Sequence, residues 1–327
     1  MTNFQVYKKT LPFSFIDFGV SLVSLAILIG CCTGGYFIAD NGQTSRALIG
    51  LAIGFVVGII LMVAISYLIS NRIKAAQIAM MTKGVAEDKL PESGIVKAGF
   101  GEVKGRFAKI TLFFLVTGAI KSMFRQVGRA VNGAGRMIGG QAGDTVTSVV
   151  DSAVQILLGY LCDCCLGWVM LRKDKGVATA ACEGAVIFFK SGKTLFRNIG
   201  RIFGMGALSF IVVGGALFGG LFGITSLFPN MWSTLSAEII EAMQRSGTEI
   251  PEFFYNVTLL QAFACGLLAI IVWSMLHAVV MRPFILVGVL RNFVAVGLKD
   301  QPTEADIKNL ENKSPKIAFL RQKMENE

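Results

Sequence analysis

The sequence predicts an all-α protein, a polytopic transmembrane helical bundle of about six spans with amphipathic elbow helices on its cytosolic side. The chain has 327 residues, of which 54% are hydrophobic and 16% charged, whereas a soluble domain has about 25% charged residues. The charged residues also cluster between long apolar runs, which is typical of a helical membrane protein. A mean hydropathy of +0.63 agrees with this class.

Five apolar runs are long enough to cross the roughly 30 Å hydrocarbon layer of a bilayer. A sixth, Ala108–Phe124, is shorter and carries lysines near its ends. In chain order the predicted spans are Phe15–Ile38, Ala47–Ser70, Ala108–Phe124, Val146–Leu171, Ile202–Phe228 and Val257–Met281. Residues 1–300 are therefore expected to form a transmembrane domain, and residues 301–327 a charged cytosolic tail.

Basic residues follow the second, fourth and sixth spans, whereas the connector after the fifth span is acidic. That connector holds Glu238, Glu241, Glu249 and Glu252 against Arg245. Positive charge marks the cytosolic side of a membrane protein. We therefore expect a multi-pass protein of the plasma membrane with both termini in the cytosol and anionic lipid headgroups at its basic face.

One connector opposes this scheme. Lys121, Arg125, Arg129 and Arg136 would lie outside the cell if Ala108–Phe124 crosses the membrane. A re-entrant or interfacial helix there is the alternative. We keep the crossing because the fourth span must begin outside for its basic end to face the cytosol.

The basic connectors have their own helical pattern. Asn71–Thr82, Val177–Phe189 and Pro283–Leu298 carry apolar residues at helical spacing, interrupted by charged or small residues. We expect them to be elbow helices on the inner membrane surface. Two short segments, Lys83–Pro91 and Val296–Pro302, resemble one another, which indicates either a weak internal repeat or chance.

Glycines four residues apart form two stripes that allow a neighbouring helix to approach closely. The stripes are Gly50, Gly54 and Gly58 in the second span and Gly215, Gly219 and Gly223 in the fifth. Packing within the chain explains such stripes most simply. A homo-oligomer interface or a sliding seam in a transporter is the functional alternative.

Asp163 is the most informative single residue, since a carboxylate inside an apolar span is costly and usually functional. Gln155 and Asp151 precede it by eight and twelve residues and share its helical face. This stripe is the candidate lining of a solute pathway, with Gln261 of the sixth span as a further candidate. Alternatively, Asp163 pairs with a basic residue near the inner surface.

Several function classes lack support in the sequence. No basic stretch interleaves aromatic residues, so we expect no nucleic-acid partner. Cys162–Cys165 has only half of a structural zinc pattern, and we expect no metal and no other cofactor. Ser191–Thr194 lacks the first glycine and the strand of a phosphate-binding loop. With His277 as the single histidine, no catalytic constellation is evident, and we do not expect an enzyme.

Part of the chain resembles the C-terminal half of choline transporter-like proteins. A cytosolic segment rich in alanine and phenylalanine, Ala181–Phe189, precedes the pair Arg197–Asn198 and a span. After the next span, Pro283–Leu298 is followed by Lys299 and the acidic Asp300. The resemblance covers less than half the chain, with fewer spans and without that family's large extracellular loop.

This resemblance implies choline or ethanolamine as a substrate. A quaternary ammonium would be bound by aromatic faces and a carboxylate, which Tyr160, Trp168 and Asp163 could supply. The leading functional prediction is thus a transporter-like protein that moves a small polar or cationic solute through the bundle. The alternative is a non-transporting membrane scaffold or helix-packing protein.

Overall fold

The structure, a computed structural model, describes residues 1–39, 44–107, 118, 120, 143–245, 250–313, 318, 319 and 322. All regular structure in these ranges is helical, with no strand among them. The predicted all-α class is confirmed to that extent.

The helices are named here in chain order. They are α1 (Asn3–Ala39), α2 (Thr44–Ile65), α3 (Asn71–Ala86), α4 (Ile95–Arg106), α5 (Gly143–Leu171), α6 (Val177–Ser209), α7 (Gly215–Thr225), α8 (Pro229–Arg245), α9 (Val257–Leu276), α10 (Arg282–Lys299) and α11 (Glu304–Lys313). The π-helical turns Ser66–Ser70, Phe210–Gly214 and His277–Met281 link consecutive helices without a break, and Glu252–Phe254 is a short 3₁₀ helix.

The chain divides into two compact units. The first comprises Met1–Ile199 and Pro283–Glu327, and the second comprises Gly200–Arg282. The boundaries fall inside α6 and after the first residue of α10.

The first unit contains a tightly packed group of helices, which we call the helical cluster. It consists of α3, α10, the C-terminal half of α5, the start of α6 and the start of α1. Its largest fully buried side chains come from all five elements and include Phe13, Ile73, Met80, Met81, Leu161, Trp168, Ile187, Ile285, Leu290 and Phe293. Burying a side chain of this size contributes about 1.5–3 kcal/mol.

Ring and glycine contacts tie these elements together. The Trp168 and Phe293 rings meet edge to face with centroids 6.5 Å apart. At Gly297 a methyl group would lie 2.6 Å from the Trp168 ring and 2.7 Å from Ile187. Only glycine therefore fits where α10 crosses α5 and α6.

Helices α1 and α2 form a hairpin through the first glycine stripe. A methyl group at Gly50 or Gly54 would overlap the backbone carbonyl of Gly35 or Cys31, and one at Gly58 would lie 2.7 Å from Leu28. The backbones therefore approach one another as in other small-residue helix pairs. Away from this seam both helices expose large apolar side chains, such as Ile29 and Ile60.

The second unit is a hairpin of α7 and α9 with α8 between them. Trp232, Leu260 and Cys265 form its buried core, and Leu221, Phe222 and Phe254 are among the residues packed around it. This core joins α8 to the end of the hairpin that contains the C-terminus of α7 and the N-terminus of α9.

Within the described ranges, four helical segments are long and apolar enough to cross a membrane, by length and composition. They are Asn3–Ala39, Ile49–Ala86, Gly200–Thr225 and Val257–Lys299. They contain the predicted first, second, fifth and sixth spans almost completely. For the predicted third span, Ala108–Phe124, only Gly118 and Ile120 lie within the described residues. The predicted fourth span lies in α5, whose apolar part found among the described residues, Gln155–Leu171, is shorter.

The three predicted elbow segments are helical, and most of their described side chains are buried. In α3 nearly every residue from Ile73 to Val85 is buried, and in α10 ten residues are buried. Other parts of the first unit cover these side chains. The placement of the three elbow segments on a membrane surface stays a prediction.

The similarity of Lys83–Pro91 to Val296–Pro302 extends to their surroundings. Both segments lie at the ends of helices that follow a π-helical turn, α3 and α10. Gly84 packs against Val6 at the start of α1, as Gly297 packs against Ile187 at the start of α6.

The predicted charged tail contains α11. The Thr303 hydroxyl, directly before this helix, accepts a hydrogen bond from the backbone N–H of Asp306. Ile307 and Leu310 of α11 are buried, and Lys190 pairs with Asp300 at 3.0 Å and Asp306 at 3.6 Å. The start of the tail thus packs against the rest of the first unit.

The close α1–α2 contact predicts that Gly54→Ala will destabilise the protein. The added methyl group would overlap the Cys31 carbonyl, and overpacking of this kind costs about 1–3 kcal/mol. Gly219→Ala is the matched control, because nothing in the described ranges lies within 4 Å of a methyl group there. Thermal unfolding in detergent should show a lower midpoint for Gly54→Ala alone. Equal midpoints for the two variants would contradict the packing described.

Candidate functional site

The predicted solute pathway involves one face of α5. Gln155 is exposed and Asp163 is half-buried, and the half-buried Gly159 and Cys162 lie on the same side of the helix. This is the least buried face of α5 between Gln155 and Leu171. Asp151, the third residue of the predicted stripe, lies in α5, but its side chain is outside the described part of the structure.

The two predicted aromatic ligands have other surroundings. Tyr160 is 4% exposed and Trp168 is fully buried. The Trp168 indole N–H donates a hydrogen bond of 3.0 Å to the Glu183 carboxylate. Trp168 thus belongs to the interior of the helical cluster, on a different side of α5 from Gln155.

Gln261 lies in the second unit and joins α9 to the end of α7. Its side-chain amide donates to the Ser226 hydroxyl at 2.8 Å, the Thr225 hydroxyl at 3.0 Å and the Phe222 carbonyl at 3.2 Å. Because its side chain is buried, these bonds compensate for the loss of water around the amide.

The two glycine stripes differ. The first, Gly50, Gly54 and Gly58, is used within the chain, against α1. A methyl group added at Gly215, Gly219 or Gly223 would have no atom of the described residues within 4 Å. The first stripe therefore serves helix packing within the chain, which was the simpler of its two predicted roles.

A buried ionic centre that the sequence analysis missed lies beside Trp168. Glu183 is fully buried; its carboxylate pairs with Lys175 and lies 3.8 Å from the Arg172 guanidinium. Arg172 also lies over the Trp168 ring, 5.8 Å from its centroid. Glu183, Trp168, Arg172 and Lys175 are called the Glu183 centre below.

The Glu183 centre holds the turn between α5 and α6. Arg106, at the end of α4, donates to the carbonyl oxygens of Arg172 at 2.9 Å and Lys175 at 2.6 Å. These bonds tie two carbonyl groups of the turn to the end of α4. Three helices thus converge on a five-residue turn, which is held by Arg106 from one side and by Glu183 from another.

Next to this turn is a small polar cavity of about 70 Å³, lined by Thr82, Lys83, Glu87, Glu102 and Lys173 among others. It has room for about two water molecules. Glu102 accepts hydrogen bonds from Lys173 at 2.5 Å and Lys83 at 3.2 Å. Partial burial raises the pKa of Glu102, but the hydrogen bonds and charges of the two lysines outweigh it, so the pKa lies below its usual value.

A polar seam joins α1 to α3. The Gln77 amide donates to the Ser14 hydroxyl at 2.7 Å and the Thr10 carbonyl at 3.3 Å. Asp17, one turn further along α1, lies 3.7 Å from the Lys74 ammonium. These residues fix the rotation of α1 against α3 where α1 leaves the helical cluster.

The chemistry of these groups is that of helix positioning. Glu183, Glu102 and Gln77 each engage side chains or backbone of a neighbouring helix. No three histidine, cysteine or acidic side chains come together as a metal site in the described ranges. A sequence signal for Glu183 existed, because it is the single acid in the apolar stretch Ala178–Phe189.

No protein-family model, curated protein or solved structure matches the chain. The resemblance to choline transporter-like proteins stays a prediction.

The lowered pKa of Glu102 predicts a specific loss of stability in acid. A carboxylate with a folded-state pKa below its unfolded value of about 4.3 stabilises the fold above that pH and loses this contribution as pH falls through the folded-state pKa. Glu102→Gln should therefore lower the thermal midpoint above about pH 5, by the equivalent of about 1 kcal/mol or less because the lysines are partly exposed. The difference from the unsubstituted protein should shrink below about pH 4.

Glu87→Gln is the control for this experiment, since Glu87 lines the same cavity but is exposed. Its effect on the thermal midpoint should be small at every pH. An effect of Glu102→Gln that grows in acid would contradict the ion pairs described.

Proposed function

We propose that the protein is a non-transporting membrane scaffold, in which paired spanning helices hold a rigid helical cluster at one membrane surface. The observation that carries this proposal is the location of Tyr160 and Trp168. These predicted solute ligands are buried in the cluster, and the Trp168 indole N–H is already bound by Glu183. An aromatic face that is packed against protein does not bind a cation from solution.

Continuity between spans and cluster supports the same function. Helix α1 begins with buried residues such as Val6 and Phe13 and continues into an exposed apolar stretch. From α2 the chain passes through a π-helical turn directly into the buried α3. Any displacement of this hairpin in the membrane is therefore transmitted to the cluster by continuous backbone, as in a scaffold that couples the two.

The proposed topology places the cluster in the cytosol of a plasma-membrane protein with six spans. The exposed basic residues of the cluster and of α4, which include Lys8, Arg72, Lys97 and Lys104, would face anionic headgroups on that side. The predicted third and fourth spans, Ala108–Phe124 and Val146–Leu171, would complete the six, and the end of the fourth, in α5, would enter the cluster. Because α4 and the C-terminal half of α5 both belong to the first unit, a pair of crossings returns the chain to the same side.

Transport is the second candidate, and Asp163 favours it. Its carboxylate is half-buried on the least buried face of an apolar helix, together with Gln155. An acid in such a place commonly belongs to an ion or solute pathway. A small cationic solute such as choline would then pass along this face.

Flux through vesicles that contain the purified protein separates the two candidates. The scaffold predicts that uptake of radiolabelled choline and ethanolamine equals that of protein-free vesicles, for the unsubstituted protein and for Asp163→Asn. Asp174→Asn is the control substitution, at an exposed acid outside the predicted pathway. Saturable uptake that Asp163→Asn abolishes and Asp174→Asn preserves, at equal thermal stability, would establish transport and overturn the scaffold.

A further inference from the structure

We infer that α8 is an interfacial helix, which lies on the bilayer surface at the end of the α7–α9 hairpin and inserts Met231 and Leu235 among the lipids. The partner is thus a lipid surface rather than a second protein chain. The inference rests on connectivity, on the packed face of α8 and on its exposed apolar flank.

Connectivity leaves α8 no room to move away from the membrane. Three residues separate the end of candidate span Gly200–Thr225 from the start of α8 at Pro229. The short connection is itself a hydrogen-bonded turn. The backbone N–H of Leu227 donates to the Ile224 carbonyl at 3.1 Å, and that of Phe228 donates to the Thr225 carbonyl at 3.0 Å. Helix α8 therefore starts at the depth where the span leaves the hydrocarbon layer.

The packed face of α8 fixes its rotation. Trp232 is buried against Leu260 and Cys265 of α9. One turn later, the Ser236 hydroxyl donates to the Phe254 carbonyl at 2.6 Å. With these two residues held against the hairpin, the remaining faces of α8 have fixed directions.

The first two turns of the flank next to this packed face are apolar and exposed, and the exposed Glu238 follows on the same flank one turn after Leu235. Met231 is 50% exposed and Leu235 is 38% exposed, one turn apart on the same side. Thr234, Glu241 and Arg245 are exposed on the other side, away from the hairpin. A helix with one apolar and one charged side lies in the plane of a membrane interface.

Lipid is the occupant because the apolar flank continues the surface of the spans. Leu227, Phe228, Tyr255 and Leu259, at the same end of the hairpin, all expose apolar side chains. Tyrosine is common at this depth, where its ring is apolar and its hydroxyl is hydrated. The exposed charges of α8 include Glu238 and Glu241, so insertion should need no anionic lipid.

Photo-crosslinking in nanodiscs of zwitterionic phosphatidylcholine tests this placement. The full-length protein would carry p-benzoylphenylalanine in place of Leu235, of Thr234 as the matched control on the polar side, or of Phe263 as the reference within a span. Phe263 is exposed in α9. After irradiation, mass spectrometry would quantify peptides that carry a phospholipid adduct.

We expect an adduct yield at position 235 comparable with that at position 263, and loss of the adduct at position 234. Failure to form an adduct at 235 while 263 forms one would overturn the inference. Equal adducts at 234 and 235 would also overturn it, because α8 would then have no defined rotation. A cross-linked dimer from position 235 would overturn it in favour of a second copy of the chain.

Discussion

A carboxylate without contact to water is stable in its charged form only when cations and hydrogen-bond donors surround it, and Glu183 meets this condition. Its partners are Lys175, Arg172 and the Trp168 indole. Because Trp168 also contacts Phe293 and Gly297, the position of α10 depends on the same ring. Removing one partner of such a buried pair typically costs about 3–5 kcal/mol, so the turn between α5 and α6 and the packing of α10 are linked.

The second constraint is that candidate spanning helices continue into the cluster without a break in the helical backbone, as α1 does and as α2 does through a π-helical turn into α3. Hydrogen bonds between polar side chains join neighbouring helices at two places. Gln77 with Ser14 joins α3 to α1, and Gln261 with Ser226 joins α9 to α7. Interhelical hydrogen bonds of this kind fix register between apolar helices, where packing alone allows sliding. A protein built in this way is suited to hold a surface in place, which is the basis for the proposed scaffold.

The sequence was sufficient for the helical class and for four helices long and apolar enough to cross a membrane, because long apolar runs have few alternatives to a membrane helix. Packing of the Gly50–Gly58 stripe within the chain was also one of the two roles that the sequence predicted for it. Burial of α3 was not foreseen, since its lysines and glutamine resemble those of a surface helix. Helix α3 can be buried despite these residues because Lys74, Gln77 and Lys83 each reach a polar partner on another helix.

The candidate site was less predictable for a related reason. Asp163 and Gln155 share a face of α5, as periodicity requires, but periodicity cannot tell which aromatic residues lie in a core. Trp168 takes its surroundings from α6 and α10, which are distant in sequence. Glu183 stood in an apolar stretch, and its partners Arg172 and Lys175 lay in a turn that the sequence analysis counted only as a source of positive charge.

Hydrogen–deuterium exchange of the protein in nanodiscs, with and without Glu183→Gln, tests the central claim that the buried carboxylate organises the helical cluster. Asp174→Asn is the matched control, since Asp174 also pairs with Arg172 but is largely exposed. The account predicts that Glu183→Gln speeds exchange in the C-terminal half of α5, the start of α6 and α10, while α7 and α9 keep their protection and Asp174→Asn changes little. Unchanged exchange in the cluster of Glu183→Gln, or equal effects of the two substitutions, would contradict it.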